Sequence, residues 1–414
     1  MEGVVLGFLV LIVLICLKLN IIVAAPAAIM VIALVNQINP LPLLTEIYVS
    51  GMGGFLQDFL FIFILSSILG TVIKYSGRAE VLGKSVTGLF GSNFAATGIF
   101  FTTALLSYGG ISGFVLVFTV YPIAIEVFNK TNLPRSLIIS CITGGNILIG
   151  MVMPGSPQVQ NLILMDFFET PATAGVLPGL VGILCGVTFA TSYLQYKTRR
   201  YQVNEENYSP DISLKEKLDT AVAIIPLAVV LFSLIVLELM PEICLALGVL
   251  TAVLIDFKKF NLFSTINEGV SNAVLPLLFA ASAMGFGQVL SQVEAFDLFI
   301  SQITTMDINP YIITGILGNI GAGLMGSSSN GLLLILGTVG EELKNLGDPH
   351  LLHRVLFIAS TGLDTLPQNG VYLAMLAYTG LTIRETFMDY TFVTIIAPII
   401  SLIGAITAVI LLAG

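Results

Sequence analysis

Long apolar segments separated by short polar turns make up nearly the whole chain. Segments able to cross ~30 Å of hydrocarbon recur from one end to the other. In the first half, the predicted spans are 3–17, 19–36, 55–75, 93–127, 135–165 and 172–195. In the second half, they are 218–238, 240–256, 270–292, 309–343, 351–378 and 388–412. The pattern predicts an all-α integral membrane protein.

The two halves of the chain resemble each other. The only long hydrophilic segment, 196–217, divides the chain into residues 1–195 and 218–414. Short motifs recur on both sides of it in the same order: Gly109-Gly110 matches Gly326-Ser327, and Pro157-Gln158 matches Pro367-Gln368. This order predicts an internal duplication, in which each repeat has about five transmembrane helices and one re-entrant hairpin.

Composition and the placement of charge extend this picture. Hydrophobic residues make up 56% of the chain and charged residues 10%, with a mean hydropathy of +0.99. If segments 93–127 and 309–343 enter and leave on one side, each half crosses the membrane an odd number of times, and the second repeat is inverted. All Lys and Arg residues except Lys344 and Arg354 then face the cytoplasm, as the positive-inside rule requires.

This arrangement predicts a multi-pass protein of the plasma or inner membrane. Both termini lie outside, and the linker 196–217 is cytoplasmic. His350 and His353 fall in an outer loop, together with Arg354.

Four polar, Gly-rich or Pro-rich interruptions lie inside the apolar segments, at corresponding places in the two halves. Irregular backbone survives at membrane depth only where it is buried in protein or lines a wet cavity. Paired interruptions indicate the binding site of a transporter, because half-helix N-termini bind anions and unwound carbonyls bind cations. Kinks with no function are the alternative for any single interruption. The four are 107–113, 153–161, 326–331 and 361–370.

Asp364 is the ionisable residue of greatest interest. A carboxylate at membrane depth is costly and is a functional candidate by default, so Asp364 could carry a proton or bind Na⁺. The alternative is a carboxylate that caps a half-helix N-terminus. The chain has no GxxxxGK[ST], HExxH or GxSxG motif, so direct ATP coupling and enzyme activity are not expected. No cofactor, metal or nucleic-acid partner is expected either.

Several of these motifs resemble the gluconate:proton symporter family, part of the ion transporter superfamily, and most closely its short 3-hydroxybutyrate permease-like branch. The resemblance rests on Tyr108-Gly-Gly-Ile-Ser-Gly, Val120-Tyr-Pro-Ile-Ala, Asn132-Leu-Pro-Arg, Met153-Pro-Gly-Ser-Pro-Gln-Val-Gln-Asn and Asp364-Thr-Leu-Pro-Gln-Asn-Gly. Two departures stand beside it: Gln368 replaces a frequent His, and the polar motif near the second break differs from that of gluconate carriers.

The resemblance implies an elevator-type symporter, in which a dimerising scaffold domain carries a sliding transport domain. It implies that the hairpin tips enclose the substrate, namely Gly109, Gly110, Ser112, Ser327, Ser328, Ser329 and Asn330. It adds the broken helices, with Ser156, Gln158, Thr361, Gln368, Asn369 and the ion-coupling Asp364. The expected partners are a small carboxylate, H⁺ or Na⁺ as coupling ion, the lipid bilayer and a second copy in a homodimer.

Small Gly and Ser side chains favour a short hydroxy-monocarboxylate such as 3-hydroxybutyrate over a sugar acid, with H⁺ as the coupling ion. A gluconate or other sugar-acid permease, a Na⁺-coupled organic-anion carrier and a passive anion channel remain the alternatives.

Overall fold

The protein is described by a computed structural model that covers residues 2–17, 19–111, 113–201, 214–290, 292, 308–366 and 369–413. The first half contains α1 (Glu2–Cys16), α2 (Ile21–Val35), α3 (Pro40–Tyr75), α4 (Arg78–Phe90), α5 (Ala95–Tyr108), α6 (Gly113–Thr131), α7 (Ser136–Met151), α8 (Val159–Phe168) and α9 (Val176–Thr198).

The second half of the described chain has eight helices. It contains α10 (Leu214–Ile235), α11 (Pro241–Asp256), α12 (Leu262–Leu290), α13 (Pro310–Met325), α14 (Ser328–Lys344), α15 (Pro349–Ala359) and α16 (Gly370–Thr379). The last helix, α17, runs from Ile383–Thr391 through a π-helical turn at Phe392–Ile396 into Ala397–Ala413.

The described part of the chain is helical and contains no strand, which confirms the predicted all-α membrane fold class. Five of its helices are long and apolar enough to cross a bilayer: Pro40–Tyr75, Val176–Thr198, Leu218–Ile235, Leu262–Leu290 and Ile383–Leu411. Many large apolar side chains on them are exposed, as lipid-facing residues must be. These five helices overlap the predicted spans 55–75, 172–195, 218–238, 270–292 and 388–412, and their ends differ from the predicted ones by up to fifteen residues.

The long helices α3 and α12, one from each half of the chain, pack against each other. The Tyr48 hydroxyl is 2.7 Å from the Ser282 hydroxyl, whereas the Ser67 hydroxyl donates to the Gly269 carbonyl at 2.7 Å. As residue numbers rise along α3, its partners on α12 fall. The two helices are therefore antiparallel.

The same relation holds for α9 and α17. The Tyr193 hydroxyl donates to Asp389 at 2.6 Å, near the end of α9 and the start of α17. A Cβ added at Gly182 would meet the Ser401 carbonyl at 2.6 Å, so the helices nearly touch there. Glycine allows this close approach, which is typical of membrane helix pairs. This second antiparallel pair brings the C-terminal helix of one half against that of the other.

Two features of the first half depart from the predicted spans. Helix α4 was not predicted as an element, because Arg78, Glu80 and Lys84 made its stretch polar. Its first residue is nevertheless buried: the Arg78 guanidinium binds both Asp256 carboxylate oxygens, at 2.6 and 2.9 Å. Helix α3 begins at Pro40 rather than at residue 55, because Asn39 caps it and a π-helical turn continues it.

The second hairpin, α13–α14, turns within two residues. Gly326 ends α13 in the left-handed conformation (φ 57°), and the Ser327 side chain accepts from the Asn330 N–H at the start of α14. Beyond the turn, a Cβ added at Gly331 would lie 2.4 Å from the Ala322 nitrogen. The hairpin therefore closes only with glycine at this position.

Replacing Gly331 with Ala is expected to destabilise the protein by roughly 1–3 kcal/mol, because the added methyl group must push the two backbones apart. Thermal unfolding in detergent would measure the effect. Gly54→Ala is the matched control, since nothing lies within 4 Å of its added Cβ. Equal unfolding midpoints for the two variants would contradict the proposed close contact.

Candidate substrate site

All four predicted interruptions break the helices. Residues 109–112 separate α5 from α6, residues 152–158 separate α7 from α8, Gly326 and Ser327 separate α13 from α14, and residues 360–369 separate α15 from α16. Two of them are hairpin tips and two divide the following helices. The structure thus has the discontinuous helices that the sequence predicted.

The first hairpin tip turns on glycine. Gly109 is the C-cap of α5, and Gly110 has φ +97°, a conformation that side chains other than glycine's rarely adopt. A Cβ added at Gly110 would meet Pro157 of the following break at 3.5 Å. Ser112, also predicted for this tip, lies outside the described residues.

Gln158 binds this tip to the second break. Its Nε2 donates to the Ser107 carbonyl at 2.6 Å and to the Ile111 carbonyl at 3.1 Å. These carbonyls flank the hairpin turn, so one amide satisfies both ends of it. Ser156, fully buried beside it, donates to the Gly150 carbonyl at 2.8 Å. The structure therefore brings Gly109, Gly110, Ser156 and Gln158 together.

Two residues that the sequence prediction omitted complete the first cluster. The Ser107 hydroxyl donates to the Asn146 Oδ1 at 2.6 Å, and both side chains are buried. Asn146 opens the π-helical turn Asn146–Met151 of α7, and such turns are frequent at functional sites. An amide inside an otherwise apolar segment, next to Gly144 and Gly145, was the signal that could have indicated it.

Asp364 lies at the centre of the second cluster and is 5% exposed. Its Oδ2 accepts the Ser328 backbone N–H at 3.2 Å, at the N-terminus of α14, and its Oδ1 accepts from the Asn369 Nδ2 at 3.2 Å. The carboxylate thus meets the hairpin tip and the broken helix at once. This is the helix-capping geometry that the sequence offered as the alternative, and the contact is compatible with an ion-coupling role.

The Asn369 side chain joins the tip of the second hairpin to the start of α16. Its Nδ2 donates to the Gly326 carbonyl at 3.1 Å, and its Oδ1 caps α16 by accepting the Tyr372 N–H at 2.8 Å. The Ser328 hydroxyl is 2.6 Å from that of Ser360, a buried residue absent from the predicted site.

The other residues predicted for this cluster differ in their burial and contacts. The hydroxyls of Ser327 and Ser329 are 3.3 Å apart, and Asn330 is buried one residue beyond. Thr361 is buried, but its hydroxyl donates to the Ile358 carbonyl of its own helix at 2.8 Å. Gln368 lies outside the described residues.

The two clusters approach each other where α6 and α16 begin. A Cβ added at Gly113 would lie 3.2 Å from the Asn146 Nδ2 and 3.7 Å from a Val371 methyl. Further along, the Thr143 hydroxyl is 3.6 Å from the Met375 sulfur. Two helix N-termini, which carry partial positive charge, therefore meet beside neutral hydrogen-bonding groups.

Arg354 does not lie in an outer loop, where the sequence pattern had placed it. It is fully buried in α15, and its guanidinium donates to the carbonyls of Ala174, Val152 and Ala172 at 2.8, 2.8 and 3.3 Å. Gly175 leaves room for its stem, since a Cβ there would meet the Arg354 Cβ at 2.5 Å. The cation thus binds one carbonyl just beyond the end of α7 and two in the loop between α8 and α9.

His353 was likewise wrongly placed in a loop, whereas His350 is exposed as expected. The ring of His353 is fully buried, with Nε2 2.9 Å from the Asn161 Oδ1 and Nδ1 2.7 Å from the Thr170 hydroxyl. Because the Asn161 Nδ2 donates to the Ser156 carbonyl, its Oδ1 accepts, and Nε2 of the histidine carries the proton. These bonds join the second half of the chain to the first broken helix.

Just outside these segments, Lys344 at the end of α14 pairs with Glu169 at the end of α8, with a nitrogen–oxygen distance of 2.9 Å. Hydrogen bonding to this ammonium lowers the pKa of the exposed Glu169 carboxyl below its usual value. The contact links the end of the second hairpin to the end of the first broken helix.

The chain is similar to two bacterial transporters. It is 28% identical to the uncharacterized transporter YxjC of Bacillus subtilis, over 91% of this chain and 92% of that protein. It is 23% identical to an uncharacterized transporter of Haemophilus influenzae, over 77% of each. No protein-family model matches the chain.

Among solved structures, the crystal structure of the Alcanivorax borkumensis YdaH transporter, which has an unusual topology, superposes with a TM-score of 0.54. It covers 90% of this chain and 89% of its own, at 15% sequence identity, so the likeness concerns the fold. Taken with the apolar spans, these likenesses identify the chain as a multi-pass membrane protein of the transporter type.

Proposed function

We propose that the chain is a secondary active transporter of a small organic acid, driven by a cation gradient. The observation that carries this proposal is the buried Asp364 carboxylate, which meets both the tip of the second hairpin and the adjacent broken helix. A titratable or ion-binding group at such a junction can couple its own state to the position of the hairpin.

The neighbouring groups suit an anionic substrate. The N-termini of α6 and α16 converge, and Ser107, Asn146 and Gln158 add neutral donors and acceptors. Held by dipoles and neutral groups rather than by a fixed cation, a carboxylate is captured and released without breaking an ion pair. This favours a carrier that must let its substrate go on the far side of the membrane.

The size of the polar groups favours a short substrate. Ser327, Ser328 and the glycines of the tips offer few long donors, while a sugar acid needs one for nearly every hydroxyl. We infer a short hydroxy-monocarboxylate such as 3-hydroxybutyrate, with H⁺ as the coupling ion. The resemblance to the 3-hydroxybutyrate permease-like branch of the gluconate:proton symporter family supports the same substrate.

The proposed mechanism is an elevator movement in a homodimer. The repeats would span 1–195 and 218–414 in opposite orientations, joined by the cytoplasmic linker 196–217, with both termini outside. Support comes from the antiparallel pairs α3–α12 and α9–α17. Both ends of the linker are helical where the structure describes them: α9 continues to Thr198, and α10 begins at Leu214.

Uptake into proteoliposomes tests the proposal. With an inward proton gradient, labelled 3-hydroxybutyrate is expected to accumulate above its external concentration, to saturate and to show counterflow. A Na⁺ gradient in place of the proton gradient identifies the coupling ion, and gluconate as competitor measures the preference for short acids.

Failure of any small carboxylate to accumulate under either gradient would contradict the proposal. Flux that only dissipates a concentration difference, without saturation or counterflow, would indicate a passive anion channel instead.

A further inference from the structure

A cavity of about 730 Å³ opens between α9 and the corner that joins α4 to α5. None of its lining residues belongs to the candidate substrate site. Three phenylalanines, Phe90, Phe94 and Phe101, form one part of the wall. Thr191, Gln195 and Arg199, one helical turn apart along α9, form another. Its volume lies in the usual range for small-molecule sites.

The aromatic part of the wall is preformed. The rings of Phe90 and Phe101 stack with centroids 5.4 Å apart and an interplanar angle of 4°. Phe94, from the turn between α4 and α5, remains 45% exposed beside them. Such a surface suits a hydrocarbon chain, because it is apolar and opens between helices that face lipid.

The polar part of the wall lies at the membrane surface. Helix α9 has 23 residues, about 34 Å of helix, which spans the hydrocarbon and leaves its C-terminal end at the headgroups. There the Gln195 Nε2 donates to the Asn93 carbonyl at 3.0 Å. Within the described part of the chain, the buried Oε1 of the same amide accepts no hydrogen bond.

Three basic residues stand at this end of α9, and two of them have partners. Lys197 pairs with Asp389 at 2.8 Å, and the Arg200 guanidinium lies 4.4 Å from the centre of the Tyr196 ring. Among the residues that the structure describes, no carboxylate pairs with Arg199, which lines the cavity. The cavity thus combines an apolar wall with a cation that has no carboxylate partner among the described residues.

We propose that this cavity binds one anionic phospholipid from the adjacent leaflet. An acyl chain lies on the phenylalanine wall, and the phosphate pairs with Arg199. Basic pockets between membrane helices recognise acidic headgroups in this way. The proposal is independent of the transported substrate.

Native mass spectrometry of the full chain tests the proposal, after delipidation and addition of either phosphatidylglycerol or phosphatidylcholine. The parent protein is expected to retain one phosphatidylglycerol in preference to phosphatidylcholine. Arg199→Gln should lower that retention about five-fold, the effect of one basic residue near an anionic lipid. Arg200→Gln, which makes the same change of charge one residue away, should retain the lipid as the parent does.

Ser192→Phe supplies a second variant, because it fills the cavity without changing its charge. It should lower retention as well, with a thermal unfolding midpoint within about 2 °C of the parent's. Equal loss in the two arginine variants would show general surface attraction and overturn the proposal. The same follows if phosphatidylcholine is retained equally well, or if inorganic phosphate alone displaces the lipid.

Discussion

Replacing Asp364 with Asn is expected to reduce gradient-driven uptake in proteoliposomes at least about a hundred-fold, while exchange of internal for external substrate continues. The amide has nearly the same volume and keeps an acceptor for the Ser328 N–H, so the contact with the hairpin survives, while the hydrogen bond from the Asn369 Nδ2 is lost. It can neither release a proton nor offer a charged ligand to Na⁺, which removes the coupling.

Asp58→Asn is the matched control, because it makes the same change at an exposed carboxylate on α3. Its uptake should equal that of the parent. If the Asp364 variant accumulates substrate as the parent does, the carboxylate only caps α14. If uptake and exchange are lost together while the unfolding midpoint is kept, Asp364 binds the substrate rather than the coupling ion.

Replacing Arg354 with Met is expected to have the largest effect on stability. The side chain is fully buried, and its removal takes the guanidinium donors from the carbonyls of Val152 and Ala174, whereas the Ala172 carbonyl keeps those of Gly155 and Asn161. An unsatisfied buried polar group costs ~1–3 kcal/mol, so the loss should reach at least about 2 kcal/mol. Thermal unfolding in detergent should show a midpoint at least about 4 °C lower.

Arg384→Met provides the control at an exposed arginine and should leave the midpoint unchanged. The midpoint of Arg354→Lys should fall between those of the parent and Arg354→Met, because one ammonium group cannot reach all the carbonyls that the planar guanidinium binds. An unchanged midpoint for Arg354→Met would show that water can donate hydrogen bonds to those carbonyls in place of the guanidinium.

The fold class and all four helix breaks could be predicted from the sequence. Glycine, proline and polar side chains that cluster inside a long apolar segment interrupt its helix, and irregular backbone at that depth is confined to buried or water-lined places. Asp364 was equally visible, as an acid within such a segment. The inverted duplication that the basic residues indicated stays a prediction.

Other parts of the site were beyond the sequence for a physical reason. Charge counting assumes that arginine seeks water, and Arg354 instead binds one carbonyl just beyond the end of α7 and two in the loop between α8 and α9. Asn146 and Ser107 looked like ordinary polar residues of apolar helices. Their importance comes from their mutual contact across two helices, which no local pattern contains.

The break between α7 and α8 and the break between α15 and α16 differ in chemistry. The segment 153–161 contains no acid, whereas 361–370 carries Asp364. On the proposed mechanism, only the second break can change charge, so a carrier without that one acid could equilibrate its solute across the membrane but could not concentrate it.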